Sequence, residues 1–454
     1  MDTEVSPDEP CGTEAANTPL QRADARLVCR PMLTVTIHLL ILLVFANRYI
    51  LGSLFRRVRA RALDEALSDP ELAAWAPTVA IVVPMFNEGP GIRRTIESLL
   101  EQDYDPNRLR IVVVDDCSTD DSHAFALEAA RRAPDRVVVF RNPRNMGKRL
   151  GINRAVRRTE SDIIVSVDSD VVVQRDAVRQ LVRRFVRPEI AAVGGRVNVL
   201  NKHDNWLTRM QTIKYYYGYE YLKNLERSCR TVMCLSGCLT AYRRSVLLEI
   251  EPVLENRRLF GIPIKYGEDR FLTRQLVKAG HQTVMTLDAV SHTVAPNTLS
   301  KYFSQQLRWR RSNIVDYLGG LSHAWTLHPL VSIHYFSLFA LLMAYPAVIV
   351  QSLAGSTFWD STMLHASILA TFGWLYRLHH RGVPKEDRVG PLDFLAMALV
   401  MPVTYVLMTP LALFTLDCGS WETRGHRVDE EVSEHDPEHA SPNADAVPAR
   451  PATS

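Results

Sequence analysis

From residue 78 the chain alternates two apolar patterns. Short β-branched runs (TVAIVVP, LRIVVVDD, RVVVF and DIIVSVDSD) are separated by GIRRTIESLLEQ, HAFALEAARRA and KRLGINRAVRR, whose apolar residues recur at helical spacing. Apolar strands of about five residues between amphipathic helices predict an α/β fold with a mainly parallel sheet and covering helices. In such sheets ligands bind beyond the carboxyl ends of the strands. The acids cluster at those ends: Asn87 and Glu88 after AIVVPMF, Asp115 and Asp116 after IVVV, Asp168 and Asp170 after IIVSV.

Longer apolar runs flank this block. Residues 32–55 carry Arg48 as their only charge and are followed by Arg56, Arg57, Arg59 and Arg61. About 20 apolar residues span a bilayer, and the arginines mark the cytoplasmic side, so a retained transmembrane helix is expected. A cleaved signal peptide fits poorly, because the run is too long, lies behind a polar tail and lacks a small-residue cleavage site. Runs 329–353 and 394–416 contain no Asp, Glu, Lys or Arg, and 363–376 is short enough to be interfacial. Arg377, Arg381, Lys385 and Arg388 place the intervening loop on the cytoplasmic side. Pro402 and Pro410 offer one way to break the last run into a hairpin. Three such runs so close together argue against buried helices of a soluble core.

Composition changes this picture only when it is partitioned. The net charge is +3 over 454 residues, yet residues 1–26 carry −4, residues 425–454 carry −5 and the stretch between them +12. Both ends lack apolar periodicity and read as disordered acidic tails. The basic centre points to an anionic partner. With membrane runs on both sides, lipid and phosphate are expected, not nucleic acid. The seven cysteines include no paired zinc-type C-x-x-C spacing, and an odd, unpatterned count fits a reduced compartment. Cys229, Cys234 and Cys238 read as small buried hydrophobes.

Each acidic motif has a functional and a plain reading. Two carboxylates one residue apart, Asp168 and Asp170, suit a hard cation such as Mg²⁺ or Mn²⁺, which can neutralise a leaving pyrophosphate. An Asp at a strand end can equally start a turn or cap a helix. Asp115-Asp116-Cys117-Ser118 alone divides evenly between the two, and the repeat at Asp168 favours function. In Asn145-Met146-Gly147-Lys148-Arg149, glycine permits close approach and Lys148 can meet a phosphate. Tyr266-Gly267-Glu268-Asp269-Arg270 precedes a helical stretch. There a held carboxylate can serve as general base, while capping by Asp269 competes. Gln305-Gln306-Leu307-Arg308-Trp309 lies on an aromatic, basic helix, and a membrane-surface reading competes for Arg310 and Arg311.

In this order the motifs Asp115-Asp116-x-Ser118, Asp168-x-Asp170, Glu268-Asp269 and Gln305-x-x-Arg308-Trp309 resemble the signature of processive, inverting family 2 glycosyltransferases. Within that group the chain resembles hyaluronan synthases and rhizobial chitin-oligosaccharide synthases over residues 32–424. Val232–Arg244, Phe260–Thr273 and Trp421-x-Thr423-Arg424 add support. The resemblance implies a GT-A-like α/β nucleotide-sugar transferase embedded between transmembrane and interfacial helices. A UDP-sugar donor, N-acetylglucosamine-containing and in some members joined by UDP-glucuronate, would extend a growing glycan that leaves through the membrane, with Mg²⁺ or Mn²⁺ as cofactor. It implies that Asn87, Glu88, Asp115, Asp116, Lys148, Asp168, Asp170 and Arg308 bind the nucleotide-sugar. Asp168 and Asp170 would hold the metal. Asp269 would be the base, with Glu268 and Asp170 beside it. Ser236, Gly237, Tyr242, Arg243, Gln305 and Trp309 would face the acceptor, and Trp421 and Arg424 would gate the site. Glu268 and Cys238 stand where hyaluronan synthases generally show Asp and Pro, which leans towards the chitin-oligosaccharide synthases. FGIPI leans the other way, and Glu422 stands where Gly is usual.

The implied organisation is an acidic tail at 1–31, a transmembrane helix at 32–55, a basic linker at 56–77 and a cytosolic transferase domain at 78–300. An interfacial helix at 301–325, transmembrane or interfacial helices at 326–416, a gating segment at 417–427 and an acidic tail at 428–454 follow. The expected location is the plasma membrane. One N-terminal and three C-terminal spans would leave Trp421 on the wrong side of it, so one C-terminal run must be interfacial or re-entrant. The tyrosine-rich 206–221 stretch reads as the mouth of a channel or as an interfacial helix. Alternatives are a non-processive transferase using a lipid-linked acceptor, and a transporter or receptor with a nucleotide-sensing domain. The second would need facing ionisable groups inside the spans, and only Arg48 and Asp393 qualify. A catalytically dead relative would have lost some of the acids, and none is missing.

Overall fold

The computed structural model describes residues 65–417, apart from 256, 265, 355–357, 380–387 and 389. The expected span at 32–55, the arginines at 56–61, both acidic tails and the 421–424 segment lie outside the described residues.

Helix α1 (Asp69–Trp75) leads into an alternation of strand and helix: β1 (Val79–Met85), α2 (Gly91–Leu100), β2 (Leu109–Asp115), α3 (Ser122–Arg132), β3 (Val137–Arg141), α4 (Lys148–Arg158) and β4 (Ile163–Ser166). The β-branched runs form the strands, and β1, β2, β3 and β4 pair in parallel as expected. Next come β5 (Val171–Val173), α5 (Ala177–Val182), β6 (Ile190–Val199), α6 (Trp206–Tyr217), a π-helical turn (Gly218–Leu222) and α7 (Lys223–Ser228). After them lie β7 (Thr240–Arg243), α8 (Arg244–Glu255), the small hairpin β8 (Arg258–Leu259) and β9 (Ile262–Pro263), α9 (Glu268–Lys278) and β10 (Gln282–Thr293). The main sheet has eight strands in the order β3-β2-β1-β4-β7-β6-β10-β5. Its second half is mixed: β7 runs antiparallel to β4 and β6, and β5 antiparallel to β10.

Both faces of the sheet are covered, which is why its central strands β1 and β4 are near-continuous apolar runs instead of alternating with polar residues. Side chains of β1 divide by the period of two. Val79, Ile81, Val83 and Met85 pack with Ile92, Ile96, Leu99, Ala126 and Leu181 of α2, α3 and α5. Ala80 and Val82 pack with Ala155, Val156, Val246, Ile250 and Phe271 of α4, α8 and α9.

Four helices complete the described chain: α10 (Leu299–Gly320), α11 (Pro329–Ala354), α12 (Phe358–His379) and α13 (Pro391–Leu413). Within α11, Pro329–Ala347 is the one stretch among the described residues long and apolar enough to cross a membrane. Helix α13 runs unbroken through Pro402 and Pro410, so the proline hairpin does not form. The short run at 363–376 belongs to a longer helix of 22 residues. Helix α13 packs on the α/β domain. Met397 and Val400 meet Leu207, Met210 and Tyr302, and Ala412 meets Ile314 and Leu342.

That packing corrects the membrane-surface reading of Arg310 and Arg311. Both are buried. The Arg310 guanidinium stacks 3.7 Å from the Tyr405 ring centroid, and Arg311 Nε donates to Thr415 Oγ1 at 2.9 Å. They bind α10 to α13 instead of reaching headgroups. Helix α6, from the tyrosine-rich stretch, is likewise wedged against α13, where Arg209 Nε meets Asp393 Oδ1 at 2.9 Å.

Candidate active site

The predicted residues converge where β1, β2 and β4 end, closed on the far side by α9 and α10. The Asn87-Glu88 turn is clipped in place by neighbouring loops. Asn87 adopts φ +47°, a conformation Asn tolerates better than most residues. Its amide donates to Ser118 Oγ at 3.1 Å, and its Oδ1 accepts from the Thr119 amide at 2.9 Å. The amides of Glu88 and Gly89 both donate to Ser122 Oγ at 2.7 Å. Glu88 Oε2 accepts from Ser169 Oγ at 2.8 Å, which ties this turn to the Asp168-Ser169-Asp170 loop.

Asp115 is completely buried. Its Oδ1 accepts from the Ser118 amide at 2.9 Å, and its Oδ2 lies 3.0 Å from His123 Nδ1 and 3.4 Å from Arg141 Nε. His123 and Arg141 escaped sequence reasoning because neither belongs to a motif, although both are partly exposed around this carboxylate. Asp116 departs from its expected role. One oxygen accepts from Asn142 Nδ2 and the Met146 amide, both at 2.8 Å, and the other from the Gly147 amide at 2.7 Å. Both oxygens are committed within the protein and the side chain is buried. It shapes the loop that delivers Lys148.

Lys148 begins α4 and joins two motifs distant in sequence. Its Nζ lies 2.6 Å from Asp168 Oδ1 and 2.9 Å from Glu268 Oε1. Burial alone would lower its pKa, but the two carboxylates raise it well above the ordinary value. Gly237 makes room for this contact. A Cβ there would sit 2.7 Å from Lys148 Nζ and 3.5 Å from Asp168 Oδ1, so any side chain would push into the ion pair. The next residue, Cys238, sends its thiol 3.5 Å from Asp168 Oδ2. Burial, then Asp168 and Asp170, push that thiol up. The Gly237-Cys238 pair therefore borders Asp168 and Lys148.

Glu268 and Asp269 occupy the first turn of α9, where helix N-terminal amides favour anions. Gly267 is the cap residue in place of Asp269, so the capping alternative falls. The adjacent carboxyls are driven apart. Burial would raise Glu268, yet Lys148 and Arg308 bring it down to about 2. Burial and then the Glu268 charge raise Asp269, and Arg270 and Lys148 oppose this only partly. Neighbouring carboxyls with opposite shifts divide naturally into a fixed anion and a proton acceptor. The turn before them is braced by buried Arg257, which donates to the carbonyls of Tyr266 and Gly267. Gly267 takes φ +67°, and a Cβ there would lie 2.0 Å from Ser312 Oγ of α10.

Helix α10 supplies the remaining wall. Arg308 influences both Glu268 and Tyr215. The Trp309 ring lies 6.4 Å from that of Tyr215, which also feels Asp170 and Asp168. Gln305 sits beside Gln306, accepting from its amide at 3.4 Å. Tyr242 and Arg243 separate, since successive residues of β7 face opposite sides. Tyr242 points towards Thr240, Asp269 and Lys148. Arg243 points away, donating to the Ile190 carbonyl at 2.9 Å and stacking on Phe185. Arg243 is thus removed from the acceptor group. Trp421 and Arg424 lie outside the described residues.

Among the described residues no three His, Cys, Asp or Glu side chains form a ready-made cation cage. Asp168 and Asp170 offer hard carboxylate oxygens one residue apart, one of which, Asp168 Oδ1, is paired with Lys148. That suits Mg²⁺ or Mn²⁺, which is commonly held by one or two carboxylates together with substrate phosphates.

Residues 76–312, the interval holding every motif from Asn87 to Trp309, match the family described as "Glycosyltransferase like family 2". An N-acetylglucosaminyltransferase of Rhizobium meliloti (strain 1021) is 31% identical over 80% of this chain and 86% of its own length. That of Rhizobium leguminosarum bv. viciae is 32% identical over 77% and 82%. The fold is also similar to a mannosyltransferase from Pyrobaculum calidifontis, solved with GDP-Man and Mn²⁺. The TM-score is 0.53 at 20% identity, over 84% of this chain and 98% of that one. The fold is GT-A-like, the matched interval is the one that builds the site, and the chain is a glycosyltransferase belonging to family 2.

Proposed function

We propose that the protein transfers N-acetylglucosamine from UDP-N-acetylglucosamine with inversion, to the hydroxyl of a growing glycan. The observation that carries this reading is the Lys148 bridge. One ammonium joins the Asp168-Ser169-Asp170 loop to Glu268 and keeps that carboxylate charged, while burial and then the Glu268 charge raise the pKa of the neighbouring Asp269. The names of the relatives supply the sugar.

In this reading Asp115 orients His123 and Arg141 beside the uridine, and the Asn87-Glu88 turn frames the same end. Asp168 and Asp170 hold the divalent ion, which when bound stabilises the leaving diphosphate as a Lewis acid. Arg308 faces the diphosphate as a planar fork. An acceptor sugar lies on Trp309, and its hydroxyl passes its proton to Asp269. The hydroxyl oxygen forms the new bond to the anomeric carbon as the bond to the UDP oxygen breaks. UDP leaves, and Asp269 is left protonated. The Pro329–Ala347 helix and the apolar run at 32–55 support a membrane-embedded enzyme with this site in the cytosol. Trp421 and Arg424 are proposed to close over bound nucleotide.

Membranes containing the protein should incorporate label from UDP-N-acetylglucosamine when Mg²⁺ or Mn²⁺ is added. Asp269→Asn should reduce this by at least about a hundredfold, the usual scale of a lost general base, while UDP binding persists. Full activity of Asp269→Asn would refute the base assignment. Supplying UDP-glucuronate in parallel, then digesting with chitinase or hyaluronidase, identifies the polymer. A product formed only with glucuronate overturns the N-acetylglucosamine homopolymer.

A further inference from the structure

Lys214, on α6, has no place in the chemistry described so far, yet it sits against the acceptor platform. Its Nζ donates to Gln306 Oε1 at 2.5 Å and lies 5.1 Å from the centroid of Trp309 and 6.0 Å from that of Tyr302. Gln306 and Tyr302 are buried, so the ammonium has been drawn from water into an aromatic and amide setting. The carboxylates of adjoining elements are engaged elsewhere. Asp393 of α13 is bound by Arg209, and Glu220 of the π-helical turn by Arg196 at 3.0 Å. The charged neighbour that acts on Lys214 is Arg310 of α10, which repels it. Tyr215, next along α6, faces Asp170, Arg308 and Asp168 instead. A half-buried lysine whose ammonium faces an arginine and aromatic rings carries a desolvation cost that its amide and ring contacts must offset.

We propose that Lys214 is a positioning residue for the acceptor: its ammonium, tied to Gln306 and set against the Trp309 ring, fixes the orientation of that indole. This rests on the reading of Trp309 as the acceptor platform. The cation is attracted by the quadrupole of the indole face. The charge is also conditional. Burial first, and then Arg310, lower the Lys214 pKa from 10.5 to about 7. The ammonium is present below that value and lost above it, so the hold on Trp309 weakens as pH rises through neutrality.

The test compares wild-type, Lys214→Met and Lys214→Arg membranes. It measures transfer from UDP-N-acetylglucosamine to a short N-acetylglucosamine oligomer between pH 6 and pH 9. Wild type should show an acceptor KM that rises with pH, without a matching rise in donor KM. Lys214→Met should have an acceptor KM about tenfold higher at pH 6, the equivalent of a good cation–π contact, and flat with pH. Lys214→Arg, permanently charged, should restore the low KM and remain flat. If wild type transfers nothing from this donor, the functional reading fails and the inference with it. If wild type transfers and Lys214→Met keeps its acceptor KM and pH profile, the inference alone is overturned.

Discussion

The residue that most constrains the site is a glycine. Gly267 must occupy the left-handed region and must lack a side chain, because a methyl group there would lie 2.0 Å from Ser312 Oγ. Gly267→Ala should destabilise the protein by about 1–3 kcal/mol, the range for an overpacked and strained position. It should also reduce activity, because Glu268 and Asp269 follow directly. Adding Ser312→Gly should recover the overpacking part and leave the backbone strain. A thermal unfolding curve for Gly267→Ala superimposable on that of wild type would show that the close approach is absent. Residues of this kind explain what the sequence could not disclose. Asp168, Asp170, Glu268, Asp269 and Trp309 were legible as candidates because their chemistry shows in their type and spacing. Asp116 looked identical to Asp115 on paper. It was reassigned only once the Asn142, Met146 and Gly147 donors around it were visible. His123 and Lys214 carry no signal in a single sequence, since their roles come from neighbours far along the chain.

At the scale of elements, the strands and helices up to β4 follow from periodicity, because a sheet covered on both faces writes itself as apolar runs. The antiparallel insertion of β7 does not. Its pairing with β4 and β6 depends on register, which a four-residue run cannot specify. The seam between α10 and α13 was misread for a physical reason. Arginine next to an apolar helix looks like a headgroup anchor, but stacked on tyrosine it can also be buried. Arg310 and Tyr405 should therefore be coupled. A double-mutant cycle of Arg310→Met and Tyr405→Leu, read by thermal unfolding in detergent, should give a coupling of about 0.5–2 kcal/mol. Strictly additive single effects would remove the cation–π contact as a determinant of this seam.

For the molecule as a whole, the near-zero balance of charge conceals three regions of unlike character, of which only the central one is basic. That partition could be read before any coordinates, as could the sequence of soluble block and apolar run. The packing of the C-terminal helices was not readable, because it depends on contacts with α6 and α10. The Pro329–Ala347 helix predicts integral association with the bilayer. After cell breakage the protein should stay in the membrane fraction through high-salt and alkaline washes and require detergent for release. Release by alkali alone would place it at the surface instead.

The close approach of Gly267 and Ser312 also bears on the proposed extension of a glycan. It presses the turn that carries the base directly onto the helix that carries Trp309, leaving no slack between the two sides of the reaction. Base and platform then behave as one rigid casting. In the proposed extension of a glycan it is then the product that slips forward across this frame, so the length of a step belongs to the sugar and not to any stroke of the protein.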